Sequence, residues 1–128
     1  MMAAMSTTTN ITVYGIANCD SVKKARAWLT AQGLPYQFHD FKKQGVPAQR
    51  LAAWMAAVGW ERLLNRQGTT WRKLDPALQS KVCDAASASA LLLEHSSAIK
   101  RPVVEWQRGD NLVVTVGFDA LQWAQQQD

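Results

Sequence analysis

The stretch Ile11-Thr-Val-Tyr-Gly-Ile-Ala-Asn-Cys19-Asp-Ser-Val-Lys-Lys-Ala-Arg-Ala-Trp-Leu29 changes its period in the middle. Its first part, Ile11 to Ile16, is a short apolar run of β-branched and aromatic residues, and the first strand reads as Ile11 to Gly15. From Asp20 onward, apolar residues recur at Val22, Ala25, Trp28 and Leu29, a helical spacing, with Lys23, Lys24 and Arg26 on the flanks. Gly33 and Pro35 stop that helix, and Tyr36 to Phe41 reads as a second strand. Strand, helix and strand within about thirty residues form a βαβ unit whose two strands run parallel. Cys19 stands at the junction of strand and helix. There the first backbone N–H groups lack partners inside the helix, and the helix dipole presents its positive end. That setting favours the thiolate, the nucleophilic form of sulfur.

Working outward, Pro47 opens a helix through about Val58, with Leu51, Trp54, Met55 and Val58 on one face, and Gly59 breaks it. Leu63 to Leu74 is polar and turn-rich, Pro76 starts another helical segment, and a further helix covers roughly Ser87 to His95. The span from about residue 45 to 99 therefore reads as an all-helical insertion. Beyond it, Pro102 to Trp106 and Leu112 to Val116 are strands joined by Gln107-Arg-Gly-Asp-Asn111, a hairpin signal with Gly at its centre. Gly117-Phe118-Asp119 leads into a last helix through about Gln126, with Asp119 as its cap. The order is β-α-β, helices, β-β-α. The fold class is α/β: a thioredoxin-like fold with a mixed sheet, interrupted between its two halves by the helical insertion.

A length of 128 residues suits one domain, here residues 11–128 behind a flexible leader of residues 1–10. At 48% hydrophobic and 19% charged residues, the chain is globular. No apolar run approaches the roughly 20 residues of a membrane helix, and the N-terminus lacks the features of a signal peptide. Two cysteines at unrelated positions make no disulfide framework, which points to a reduced, cytoplasmic setting. Net charge is +4, but Lys23-Lys24, Lys42-Lys43 and Lys100-Arg101 are dispersed, so neither a membrane nor a direct nucleic-acid partner is expected. The charge suits a small anionic substrate instead. His39 and His95 have no partner spacing for a metal, and no metal site is expected.

Three motifs carry a resemblance to a known family. Val13-Tyr-Gly-Ile-Ala-Asn-Cys-Asp-Ser-Val-Lys-Lys-Ala25, Asn65-Arg-Gln-Gly-Thr-Thr-Trp-Arg-Lys-Leu74 and Ile99-Lys-Arg-Pro-Val103 resemble the ArsC/Spx family, and look closest to its YffB-like, arsenate-reductase-related branch. The similarity covers about residues 11 to 126. It implies a redox-active Cys19 as nucleophile, anion-binding arginines at Arg66 and Arg101, and a cis proline at Pro102 facing the cysteine. Two departures matter. Arsenate reductases of this family carry a third arginine just after the last strand, whereas Thr115-Val-Gly-Phe-Asp119 has none. Spx-type regulators place a second cysteine three residues after the first, and that position here is Val22.

Around Cys19, the Asp20 carboxylate opposes a thiolate, and Lys23, one helical turn on, offsets it. Asn18 caps the helix or fixes the loop. Arg66 and Arg101 supply forked donors matched to a carboxylate or oxyanion; the plain alternative for each is a surface ion pair worth about 0–1 kcal/mol. Cys83 reads as a packed apolar thiol. The functional expectation is a glutathione-dependent monothiol reductase with no bound cofactor. Glutathione serves as co-substrate, and the other partner is an oxidised thiol or small oxyanion. Two alternatives stand beside it: arsenate reduction by the same cysteine, and a Spx-like regulator that binds RNA polymerase without a two-cysteine switch.

Overall fold

Thr9–Gly15 forms β1, in a computed structural model that describes residues 9–125. It is followed by α1 (Asp20–Ala31) and β2 (Gln37–Asp40). The helices come next: α2 (Phe41–Gln44), α3 (Ala48–Val58), α4 (Trp60–Leu63), α5 (Thr69–Arg72), α6 (Pro76–Lys81) and α7 (Ala85–Glu94), then a 3-10 turn at Ser96–Ala98. The chain closes with β3 (Val103–Arg108), β4 (Asn111–Val116) and α8 (Ala120–Gln125). It divides into two compact units: residues 9–40 with 101–125 build the sheet unit, and Phe41–Lys100 is the helical unit.

In the sheet unit the strands lie in the order β2-β1-β3-β4. β1 runs parallel to β2 and antiparallel to β3, and β4 is antiparallel to β3. This is the thioredoxin-like arrangement that the element order leads one to expect. Strand alternation sends Ile11 and Val13 of β1, and Val104 and Trp106 of β3, to one face. There they meet Ala25 and Leu29 of α1 and Trp123 of α8 in one apolar core. Trp123 is fully buried and lies edge-on to three rings at once: Trp28 at 5.8 Å, Trp106 at 5.2 Å and Phe118 at 4.9 Å between centroids. Such edge-to-face contacts are each worth about 0.5–1.5 kcal/mol beyond burial. The Trp106 Nε1–H donates to the buried Thr115 Oγ1 at 3.0 Å, whereas the buried Trp123 Nε1–H has no hydrogen-bond partner among the described residues. Arg26 ties α1 to β2, donating from Nε to the Tyr36 hydroxyl at 3.0 Å with its guanidinium 4.2 Å from the Phe38 ring centre.

In the helical unit, α3 packs with α4 and α7. Leu51, Trp54, Leu63, Leu91 and Leu92 are buried, and Phe41 sits 6.3 Å from Trp54 between ring centroids. α7 starts in a capping box: Asp84 Oδ1 accepts from the Ser87 N–H at 2.8 Å while the Ser87 hydroxyl accepts from the Asp84 N–H at 3.1 Å.

Several boundaries move from where the sequence reading puts them. The leader expected over residues 1–10 lies outside the described residues as far as residue 8; Thr9 and Asn10 belong to β1, opposite Arg108 and Gln107. β2 is shorter than Tyr36 to Phe41, because Phe41 turns into α2. The final hairpin is tighter than the five-residue loop expected. β3 and β4 continue to Arg108 and Asn111, leaving Gly109-Asp110 as a two-residue turn. Gly109, at φ 59°, supplies the positive dihedral that a type II′ turn needs at its first central position. α7 begins two residues before Ser87, since the cap is Asp84.

Two outcomes test these contacts. A Cβ on Gly15 would fall 2.7 Å from Val22 Cγ2, so Gly15→Ala is expected to cost about 1–3 kcal/mol by overpacking. Its cost should shrink in a Val22→Ala background, and strictly additive losses in urea denaturation would refute the contact. The Ser87 hydroxyl and backbone N–H, by bonding the Asp84 carboxylate, hold it below its ordinary 3.8. A lowered carboxyl stabilises the fold above its ordinary value and ceases to as pH falls through the lowered one. The Tm gap between wild type and Asp84→Ala should therefore be full at neutral pH and narrow below 3.8.

Candidate active site

The register of β1 brings three chain segments to one end of the sheet. β1 ends there at Gly15, opposite Asp40 at the end of β2. Tyr14 pairs with Val103, the first residue of β3, so Arg101 and Pro102 enter the sheet at the same end. Val116, the last residue of β4, pairs with Val103, and the Gly117 N–H donates to the Pro102 carbonyl at 2.8 Å. Gly15 lets Val22 of α1 press against the strand end, where a side chain would collide. That close approach draws the first turn of α1, and with it Cys19, to this end of the sheet.

Cys19 is the N-cap residue of α1, with φ −137° and ψ 126°, and its carbonyl accepts the first helical bond from the Lys23 N–H at 2.9 Å. No side-chain hydrogen bond closes this cap, so the first-turn amides retain their donors for another acceptor. The thiol is half-buried, not lost in the core. Asn18 does not cap the helix, one of the two roles open to it from sequence; its Oδ1 instead accepts from Lys23 Nζ across a long 3.5 Å contact. Lys23 is exposed, and this contact holds its ammonium over the loop that carries Cys19. Asp20 occupies the first turn of α1.

Arg101 is half-buried and joined to the fully buried Pro102 by a cis peptide bond, as the resemblance implies. The segment Thr115 to Asp119 passes beside Pro102 through the Gly117 bond, and it brings no arginine to this end of the sheet. The structure thus assembles Asn18, Cys19, Lys23, Arg101 and Pro102 at one edge of the sheet unit.

Arg66 belongs to the helical unit. It sits in a turn that Asn65 builds: Asn65 Oδ1 accepts from the Gln67 N–H at 3.2 Å and its carbonyl from the Gly68 N–H at 3.4 Å. A Cβ on Gly68 would fall 2.7 Å from Asn65 Nδ2, so a larger residue there would displace the Asn65 amide. The turn is anchored to the chain before β3, since Asn65 N–H donates to the Ala98 carbonyl at 2.8 Å and Leu64 bridges Ile99. Arg66 is exposed, with its guanidinium carbon 5.7 Å from the Trp60 ring centre. Cys83, read from sequence as a packed thiol, is exposed instead, because it lies in the turn before the Asp84 cap and not on a helix face. Among the described residues no group of three or more His, Cys, Asp or Glu is placed to hold a metal ion.

The sequence reading passed over the polar groups that brace this end of the sheet. The Tyr14 hydroxyl donates to Glu105 Oε1 at 3.1 Å, both side chains being buried, and the Tyr14 ring lies 5.1 Å from that of His39. Asp40 is buried as well. A glutamate within the apolar run Val103-Val-Glu-Trp106 was the available signal, since a carboxylate there requires a buried donor.

The ArsC family model matches residues 14–126. A solved structure named YFFB protein is similar to this chain with TM-score 0.82 and 42% identity, covering 92% of this chain and 99% of that one. The solution structure of an arsenate reductase (ArsC) related protein from Brucella melitensis is 48% identical, with TM-score 0.68 over 91% of this chain and 92% of its own. An uncharacterised protein of Haemophilus influenzae is 39% identical over 94 residues, which is 73% of this chain and 82% of that protein.

Removing the Tyr14 hydroxyl should leave Glu105 short of a buried donor. Tyr14→Phe is expected to lower the unfolding free energy by about 1–3 kcal/mol. A change below about 0.5 kcal/mol in urea denaturation would show that this bond contributes nothing net.

Proposed function

The chain belongs to the ArsC family, and on that premise we propose that it is a glutathione-dependent monothiol reductase in which Cys19 is the nucleophile. The observation that carries the reading is the position of Cys19 at the uncapped N-terminus of α1, at the sheet end where Arg101 enters β3. Backbone donors and the positive end of the helix dipole favour negative charge at that point. A guanidinium at the same end supplies forked donors for a carboxylate.

In the proposed reaction the Cys19 thiolate attacks the glutathione sulfur of a glutathionylated thiol. The S–S bond of the substrate breaks, its leaving sulfur departs as a thiolate, and Cys19 retains the mixed disulfide. Val22 stands where a dithiol enzyme would have its second cysteine, fully buried in the first turn of α1. Resolution therefore falls to an external thiol. A glutathione thiolate attacks the mixed disulfide, restores Cys19 as thiolate and leaves as oxidised glutathione. Arg101 is proposed to hold a glutathione carboxylate, and Arg66 is proposed as a second anion-binding residue. Lys23, held by Asn18, offsets the Asp20 charge beside the sulfur, and Pro102 shapes the floor of the site. The absence of arginine between Thr115 and Asp119 favours a thiol substrate over arsenate.

The test is the reaction of the chain with oxidised glutathione in a Cys83→Ser background, followed by intact-mass spectrometry. One adduct should form at Cys19, be discharged by reduced glutathione, and vanish in Cys19→Ser. Losing a charge-assisted hydrogen bond of about 1.5–3 kcal/mol should slow the reaction roughly 10–100-fold in Arg101→Ala. A Cys19 that reacts no faster than free glutathione would overturn the reading, and Cys19-dependent turnover of arsenate without disulfide exchange would replace it.

A further inference from the structure

Pro102 has no backbone N–H, so its carbonyl is the one main-chain group by which it can be held. That carbonyl accepts from the Gly117 N–H at 2.8 Å. The bond extends the ladder between β3 and β4 one pair past Val103 and Val116, which face each other at its end. The proline ring fixes φ, and the peptide before it is planar. Holding this carbonyl therefore also restricts the link to Arg101, whose guanidinium is the group proposed to take a glutathione carboxylate. Where Arg101 lies depends in part on where Gly117 is kept.

Gly117 is the point at which the chain leaves the sheet, with φ 84°, a dihedral that favours glycine. The next residue, Phe118, packs against the apolar core. Its ring lies edge-on to Trp123, with 4.9 Å between centroids and 83° between planes. Trp123 is the buried residue of α8, and it meets Trp28 and Trp106 as well. Asp119 completes the connection. Its Oδ1 accepts from the Leu121 and Gln122 N–H groups at 3.0 and 3.2 Å, and its carbonyl from the Trp123 N–H at 2.9 Å. A helix of six residues has little stability of its own, so Trp123 is what seats α8. The loop 117–119 is thus strung between that seat and the Pro102 carbonyl, and Phe118 is the side chain that ties the loop to the core.

We propose that Phe118 is a positioning residue of the Cys19 site. By packing on Trp123 it keeps the Gly117 N–H on the Pro102 carbonyl, and through Pro102 it sets the lie of Arg101. Cys19 is placed by a different element, α1, which is seated through Val22, Ala25 and Leu29. Losing the Phe118 ring should therefore weaken the hold on an anionic substrate and leave the sulfur as reactive as before. The role at the site rests on the proposed glutathione chemistry; the brace itself has a readout that does not.

That readout is amide hydrogen exchange in the full chain. In Phe118→Ala the Gly117 amide should exchange at least about tenfold faster, while the Thr115 amide, inside the ladder opposite Val104, keeps its protection. The kinetic arm compares two reagents in a Cys83→Ser background, at a pH where the Cys19 thiol is fully ionised. Reaction with oxidised glutathione should slow at least about fivefold in Phe118→Ala, the factor for one neutral hydrogen bond. Alkylation by iodoacetamide, which is neutral, should stay within about twofold. Phe118→Tyr keeps the ring and should restore both wild-type values. If Phe118→Ala fails to fold, Phe118→Leu, which keeps apolar volume without an edge-on ring, takes its place. A Gly117 amide equally protected in both chains would overturn the brace, whatever Cys19 does. A loosened amide with an unchanged ratio of the two rates would overturn the role at the site. A wild-type Cys19 inert to oxidised glutathione would end that role together with the reading it rests on, and is told apart because the Gly117 amide still responds.

Discussion

The pairing of β1 with β3, Tyr14 opposite Val103, is the constraint on which the arrangement of the site depends. With β1 central in the sheet, its end at Gly15 meets the end of β2 and the start of β3 together. A slip of one residue would invert the faces of the strand. Ile11 and Val13 would leave the core that Leu29, Trp106 and Trp123 complete, each forfeiting about 1.5–3 kcal/mol of burial. Tyr14 would lose Glu105. The apolar face and the buried polar pair therefore enforce the same register, and the register in turn assigns Cys19 and Arg101 to one end.

The charges around Cys19 come from two levels of structure. The helix N-terminus favours an anion by about 0.3–1 kcal/mol at a partly exposed position. A neighbouring exposed carboxylate such as Asp20 opposes by an amount of the same order. The local segment alone therefore leaves the balance to groups that other elements contribute. Lys23 contacts Asn18 from one helical turn on, and Arg101 comes from the segment just before β3, far along the chain. Cys19 is half-buried, so part of its surface is removed from water and part is exposed. The position three residues after Cys19 is filled by Val22, a core side chain that packs against Gly15.

The two sheet edges differ in composition. β2 carries Gln37, His39 and Asp40 and is followed directly by the chain of the helical unit. β4 carries leucine, valines and threonine, and ends at the loop that leads to α8. An edge of this kind invites strand addition unless something covers it.

Sequence by itself determined the order of the strands and the longer helices, the parallel βαβ opening, the hairpin close to the C-terminus, and the placement of Cys19 at a helix start. These features rest on spacing and punctuation within a few residues: the 3.6-residue recurrence of Val22, Ala25 and Leu29, the stop at Gly33, the Asp119 cap whose Oδ1 takes the Leu121 and Gln122 N–H groups. Family resemblance added Arg66, Arg101 and the cis form of Pro102. Neither route reached the Tyr14–Glu105 bond, the contact of Gly15 with Val22, or the exposure of Cys83. Even Asn18, a reasonable cap by type, is turned to Lys23 because Cys19 itself takes the cap position. Only the tertiary structure decided which end of the sheet collects Cys19 and Arg101, which polar side chains are buried in pairs, and which strands stand at the edges. Each of those outcomes depends on pairing residues some ninety positions apart, as Tyr14 and Glu105 are, and no local pattern encodes such a choice.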